Sequence, residues 1–290
     1  CARGLSRLFG GTADERALGR AALEEVLRQE PTRDEGVEAL VQHAILRGDP
    51  VEAIRLLGIG IDHDAGFVPY RVARGTVRAD WANFGAHHGK DPVEEYAGAL
   101  EDFDAALALE PEQFDALHAR GFLGMSWAMH RHLAGEDPTE QFRRAEEDFT
   151  RALALRPDAA NALGRRASLY VRWGTTRIAR EDPQPLWHKA LADYARAELL
   201  LPNWPETFCR RGALHARWAT WLESTGRDPQ PELTAALADF DRALVLDPLD
   251  YNPWLERGLA QLNRAAWMER TGKPGDEHYA AALADLGKAG

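Results

Sequence analysis

This chain has little sulfur chemistry to work with. Its 290 residues include two cysteines, Cys1 and Cys209. That is too few for a disulfide scaffold, and they lack the spacing of a metal site. No apolar run approaches the ~20 residues that cross a bilayer as a helix. Basic charge is not in excess: 35 Lys and Arg stand against 46 Asp and Glu, a net charge of −11. No basic stripe is present to neutralise phosphates, so no nucleic-acid partner is expected. Alternating strand patterns are absent. So are a nucleophile elbow, a glycine-rich phosphate loop between a strand and a helix, and a paired metal motif on a helix. The histidine groups at 62–64, 87–88 and 130–132 put neighbouring rings on different faces or in a turn. No catalytic residue, cofactor or metal site is therefore expected.

What is present is repetition, the first pattern to test in any chain. The phrase ALEDFDAALALEP (99–111) returns as AEEDFTRALALRP (145–157), ALADYARAELLLP (190–202) and ALADFDRALVLDP (236–248), and ALADLGKAG closes the chain at Gly290. The terminal prolines, Pro111, Pro157, Pro202 and Pro248, are 46, 45 and 46 residues apart. Within a copy, Ala99, Phe103, Ala106 and Leu107 fall at helical spacing. The proline ends the helix because its ring cannot continue the hydrogen-bond ladder. A second motif follows each proline: Arg74, Arg120, Arg166, Arg211 and Arg257, each before a small residue. Seven residues on, two helical turns away, stand Trp81, Trp127, Trp173 and Trp218, with Arg264 in the fifth copy.

Each unit thus holds two helices, separated by turns reading GKDP (89–92), GEDP (135–138), REDP (180–183), GRDP (226–229) and GKPG (272–275). Asp before Pro suits a helix start. The one-residue deletion of the third unit falls between Trp173 and Pro183, in or beside this turn. Residues 34–66 have the same two-helix form in about 34 residues, and residues 14–30 read as one further helix.

The small–aromatic–small second helix, the small residue of the first helix and the closing proline resemble the tetratricopeptide repeat, from about residue 32 to the end. That resemblance implies an all-helical fold: antiparallel hairpins stacked into a right-handed α-solenoid whose concave face is lined by first helices. The expected organisation is a tether over 1–13, a helix plus one short unit over 14–67, and five long units over 68–290, the last incomplete. The long units exceed the usual length by about 12 residues, which the reading places at the turn as extra helical turns.

The repeated residues have structural readings. Gly75, Gly121, Ala167, Gly212 and Gly258 are expected to let helices approach, against Ala99, Ala145, Ala190, Ala236 and Ala282. The tryptophans are expected to close the hairpin ends with Tyr96, Phe142, Trp187, Leu233 and Tyr279; exposed, they would instead offer a stacking surface. The arginines are expected to bridge Asp102, Asp148, Asp193, Asp239 and Asp285, fixing register more than adding stability. Cys209 reads as a half-buried small hydrophobe.

The resemblance places His118, Phe122, Met125, Ser168, Arg172, Arg217, Leu259 and Asn263 on the partner-binding face, suited to an extended peptide, a helix or a complex subunit. Cys1 at the first position is read as a lipidation site. The functional expectation is a non-enzymatic interaction scaffold, lipid-anchored in the cell envelope, with self-association possible through the C-terminal end. The alternative is a cytoplasmic regulatory segment of a larger enzyme such as a protein kinase.

Overall fold

The computed structural model describes residues Asp34–Gly290, and among them every regular element is an α-helix. The tether, the helix over 14–30 and the lipidation at Cys1 lie outside the described residues. Two compact units divide at Arg156 and Pro157. The first contains α1 (Asp34–Leu46), α2 (Pro50–His63), α3 (Val68–His87), α4 (Val93–Leu109), α5 (Phe114–Leu133) and α6 (Thr139–Leu155). The second contains α7 (Ala160–Arg177), α8 (Gln184–Leu200), α9 (Pro205–Ser224), α10 (Gln230–Leu246), α11 (Tyr251–Arg270) and α12 (Asp276–Ala289). Consecutive helices pair as hairpins, and within each unit neighbouring hairpins stack.

Local chemistry sets the boundaries. At the DP turns the proline is the N-cap residue, and the preceding aspartate caps the helix. Asp91, Asp137, Asp182 and Asp228 accept the backbone N–H of Val93, Thr139, Gln184 and Gln230 at 2.9–3.1 Å. Two residues before three of these aspartates, Gly89, Gly135 and Gly226 take φ of +73°, +80° and +74°, a left-handed closure that glycine adopts without strain. Arg180 holds that place in the third unit, and among the described residues no non-glycine residue has positive φ. There α7 ends earlier, through a right-handed Ile178, which is where the shortened unit loses its residue.

At the other end of each hairpin the second helix stops two residues before proline. The residue that follows it, Glu110, Arg156, Leu201 or Asp247, sits at φ −129° to −140° and ψ 75° to 91°. A residue ahead of proline is driven from helical to extended backbone by the ring.

The added length of the long units lies in the helices. The first helices have 18 or 20 residues, and second helices α4, α6, α8 and α10 have 17, against 13 and 14 in α1 and α2. That is up to about two turns on the first helix and about one on the second.

Between paired helices the core is alanine and one large ring. Ala99, Phe103 and Ala106 are fully buried, as are Ala236, Phe240 and Ala243. The glycines of the first helices lie under these rings: a Cβ on Gly75 would be 2.8 Å from Phe103, and one on Gly212 would be 2.8 Å from Phe240. The partner of each glycine is therefore the aromatic residue four positions beyond the expected alanine. In the last hairpin Leu286 takes the ring's place against Gly258.

Candidate interaction surface

Two sets of repeated side chains hold the frame from which any surface is presented. The first is ionic. Arg120 binds Asp148 two-pronged, at 2.8 Å through Nε and 2.6 Å through Nη2. Arg74–Asp102, Arg166–Asp193, Arg211–Asp239 and Arg257–Asp285 are joined by the same fork. The five aspartates are buried. A planar guanidinium matches both carboxylate oxygens at once, which fixes orientation as well as charge. Burial pushes the Asp148 carboxyl above its usual range while the Arg120 hydrogen bond pulls it back. The same bond raises Arg120 above the ordinary arginine value.

Three of these arginines also reach back to the preceding hairpin's second helix: Arg120 to Asp104 at 2.6 Å, Arg211 to Glu198 at 2.6 Å and Arg257 to Asp241 at 2.5 Å. One cation thereby ties three helices.

The second set is aromatic. Tyr96 on α4 donates its hydroxyl to Asn83 of its own hairpin at 2.9 Å and stacks on Trp127 of the next, ring centres 5.7 Å apart. Trp187 on α8 repeats the scheme, with its Nε1 donating to Val171 O at 3.4 Å and its ring 5.6 Å from Trp218. Trp127 and Trp218 thus join one hairpin to the next rather than closing the end of their own. Trp173 and Trp218 are buried. Trp81 and Trp127 are half-buried, Trp81 against Phe84 with Lys90 over its ring. These four rings do not form an open stacking surface.

The expected partner-facing residues divide. Arg172, Arg217, Leu259 and Asn263 are exposed on the first helices α7, α9 and α11. Phe122 on α5 is half-buried. Met125 is buried at 4% exposure and Ser168 at 6%, which corrects their placement on an open face. Each was taken from a position beside the packed stripe. Helix crossing covers Met125, and Ser168 turns its hydroxyl onto Gly164 O at 2.9 Å. His118 is half-buried between the Phe114 and Phe149 rings, with centres 5.8 Å away in both cases, so it too belongs chiefly to the packing.

The open ground of the second unit is a groove between α9 and α11, about 390 Å³, with Ile178 also in its lining. Ala213, Ala216 and Leu259 form its apolar floor, and Arg217, Asn263 and Glu256 its polar edge. Ala216, Glu256 and the neighbouring Arg210 were not singled out in the sequence. The only available signal was that Arg210 and Glu256 stand seven residues before Arg217 and Asn263 on the same helices.

In the first unit a groove of about 320 Å³ opens between α4, α5 and α6, with Arg120, Trp127 and Arg144 among its walls. Cys209 on α9 is half-buried, and burial, then Glu206, push its thiol up to about 12. Among the described residues no group of His, Cys, Asp or Glu is placed to hold a metal ion. No described helix is long and apolar enough to cross a membrane.

No protein-family model matches the sequence, and no curated protein matches it. Solved structures do. A tetratricopeptide repeat protein from Parabacteroides merdae is similar over 95% of this chain and 86% of its own, at 16% identity and a TM-score of 0.59. A chain of the APC/C hetero-tetramer Cut9–Hcn1 is similar over 97% of this chain and 48% of its own, at 16% identity and a TM-score of 0.52. TTC0263, a thermophilic repeat protein of the same type from Thermus thermophilus, covers 79% of this chain and 98% of its own, at 16% identity and a TM-score of 0.51. With hairpins repeated in register, an Arg–Asp fork in each long unit and these likenesses, the chain has the tetratricopeptide-type α-solenoid fold.

Proposed function

We propose that this protein is a non-enzymatic scaffold that holds a segment of another protein against its first helices. The observation that carries this reading is a contrast between fixed and free positions. The Arg–Asp forks, the aromatic joints and the glycine–ring contacts spend the repeated residues on packing. The positions between them on α9 and α11 are left facing an open groove with an apolar floor and a polar edge. Rigid helices that present varied side chains around such a groove suit an extended peptide or a partner helix. The fold likeness supports the same reading, since the matched chain of Cut9–Hcn1 belongs to a hetero-tetramer.

A photocrosslinking amino acid placed at Leu259 or Asn263, in the cells that make the protein, tests it. The expected result is a discrete protein adduct at these positions. Leu199 and Val245, exposed on second helices, should give none. Equal capture from both faces, or none from either, would remove the scaffold reading.

A further inference from the structure

Although the chain as a whole is acidic, the first-helix face of the second unit is locally basic. Arg172 lies on α7 one turn beyond Ser168, whose hydroxyl Arg210 of α9 meets at 3.1 Å, and Arg217 lies two turns beyond Arg210 on α9. Arg210 already has partners, Glu206 at 2.5 Å and the Ser168 hydroxyl at 3.1 Å. Arg172 and Arg217 have neither a hydrogen bond nor an ion pair among the described residues. The other arginines around them behave differently: the forked series is bound to buried aspartates, and Arg177 is paired with Glu181.

Of the carboxylates in this region, Glu206 is already engaged by Arg210, Glu256 lines the groove and Asp250 lies near α9, and none of them pairs with Arg172 or Arg217. Like charges held close together raise one another's energy unless an anion joins them. Arg172 feels this. Its side chain is exposed at the surface, yet the surrounding protein thins the water near it. That desolvation, then the charges of Arg210 and Arg217, lowers its pKa from the ordinary arginine value.

We infer that Arg172, Arg210 and Arg217 receive the carboxylates of an extended acidic segment of a partner protein, with an apolar side chain of that segment seated on Ala213, Ala216 and Leu259. This rests on the scaffold reading and adds the partner's chemistry to it. Guanidinium and carboxylate can meet two-pronged, and the alanines leave room beside Leu259 for the segment's own side chain. Mixed ionic and apolar walls, with Glu256 among them, suit an acidic peptide better than a nucleic acid. A nucleic acid would ask for an unbroken basic track.

The test uses the full chain and a fluorescein-labelled ten-residue peptide of alternating Glu and Ala with a central Leu. An all-Gln counterpart and a ten-nucleotide oligothymidine serve as comparison probes, with binding read by anisotropy. The acidic peptide should bind about tenfold or more tightly than its Gln counterpart, with affinity falling as salt rises. Arg172→Glu and Arg217→Glu should each weaken it by about fivefold or more at unchanged thermal melting, while Arg196→Glu on α8 should not.

No binding of the acidic peptide, equal binding of the Gln peptide, or indifference to both charge reversals would overturn the inference. So would tighter, arginine-dependent binding of the oligonucleotide. If the acidic peptide fails while a crosslinker at Leu259 still traps a protein partner, the scaffold stands and only the acidic specificity falls.

Discussion

Asp239 is buried and forked by Arg211, whose remaining nitrogen holds Glu198. Asp239→Asn would leave that guanidinium with a neutral partner on its inner side. The expected cost is on the order of 2 kcal/mol, below the usual range for breaking a buried pair because Arg211 is partly exposed and keeps Glu198. The double change Asp239→Leu with Arg211→Met should cost less than the single one, since both charges then leave together. Urea unfolding of the two variants checks this, and a larger loss in the double variant would contradict it.

Cys209 gives a pH prediction at the same scale. Its folded thiol is raised to about 12 from an ordinary 9. A raised folded value means the native state keeps a proton that the unfolded chain loses, so stability falls as pH rises from about 9 towards 12. Below 9 the thiol is protonated in both states and contributes no slope. Iodoacetamide labelling followed by peptide mass should find Cys209 slow at pH 8 in the native protein and fast in urea. Rapid native labelling would refute the raised value. The Arg–Asp pairs were visible in the sequence because both partners recur at one spacing. The second acids, Asp104, Glu198 and Asp241, were not, because only Asp104 and Asp241 share a register while Glu198 stands three residues later in its copy, and only stacking brings them within reach.

Helix ends show how sequence turns into element. Gly226 ends α9 in the left-handed region, and a Cβ there would meet nothing within 4 Å. The cost of Gly226→Ala is therefore conformational alone, about 1 kcal/mol. Arg180→Gly, at the matching place in the third unit, should bring no gain, because that turn is built without a left-handed residue. Thermal unfolding of both variants measures the difference. The DP signals and closing prolines were readable as punctuation because proline and aspartate act on their immediate neighbours. The pairing of Gly75 with Phe103 was not. Two helices can cross with any of several small residues in contact, and the crossing angle chooses among them.

In a molecule whose hairpins touch only their neighbours within a unit, damage should stay local. Phe103 is fully buried between α3 and α4. Phe103→Ala should cost about 3–5 kcal/mol in its own region. Hydrogen exchange should rise across α3, α4 and α5 while protection in α9 to α12 holds. A uniform rise along the chain would show that the protein unfolds as one cooperative body instead.

By itself the sequence determined the helical class, the repeat period, the two helices of each unit and the residues reserved for packing. All of these follow from local periodicity and from backbone chemistry at proline, glycine and aspartate. Tertiary structure alone decided which aromatic ring covers which glycine, which hairpins Trp127 and Trp218 join, and that Met125 and Ser168 are buried while Arg172 and Arg217 stay open. Those outcomes depend on how neighbouring helices cross. A crossing is fixed by the combined shape of two surfaces, which no single stretch of sequence contains.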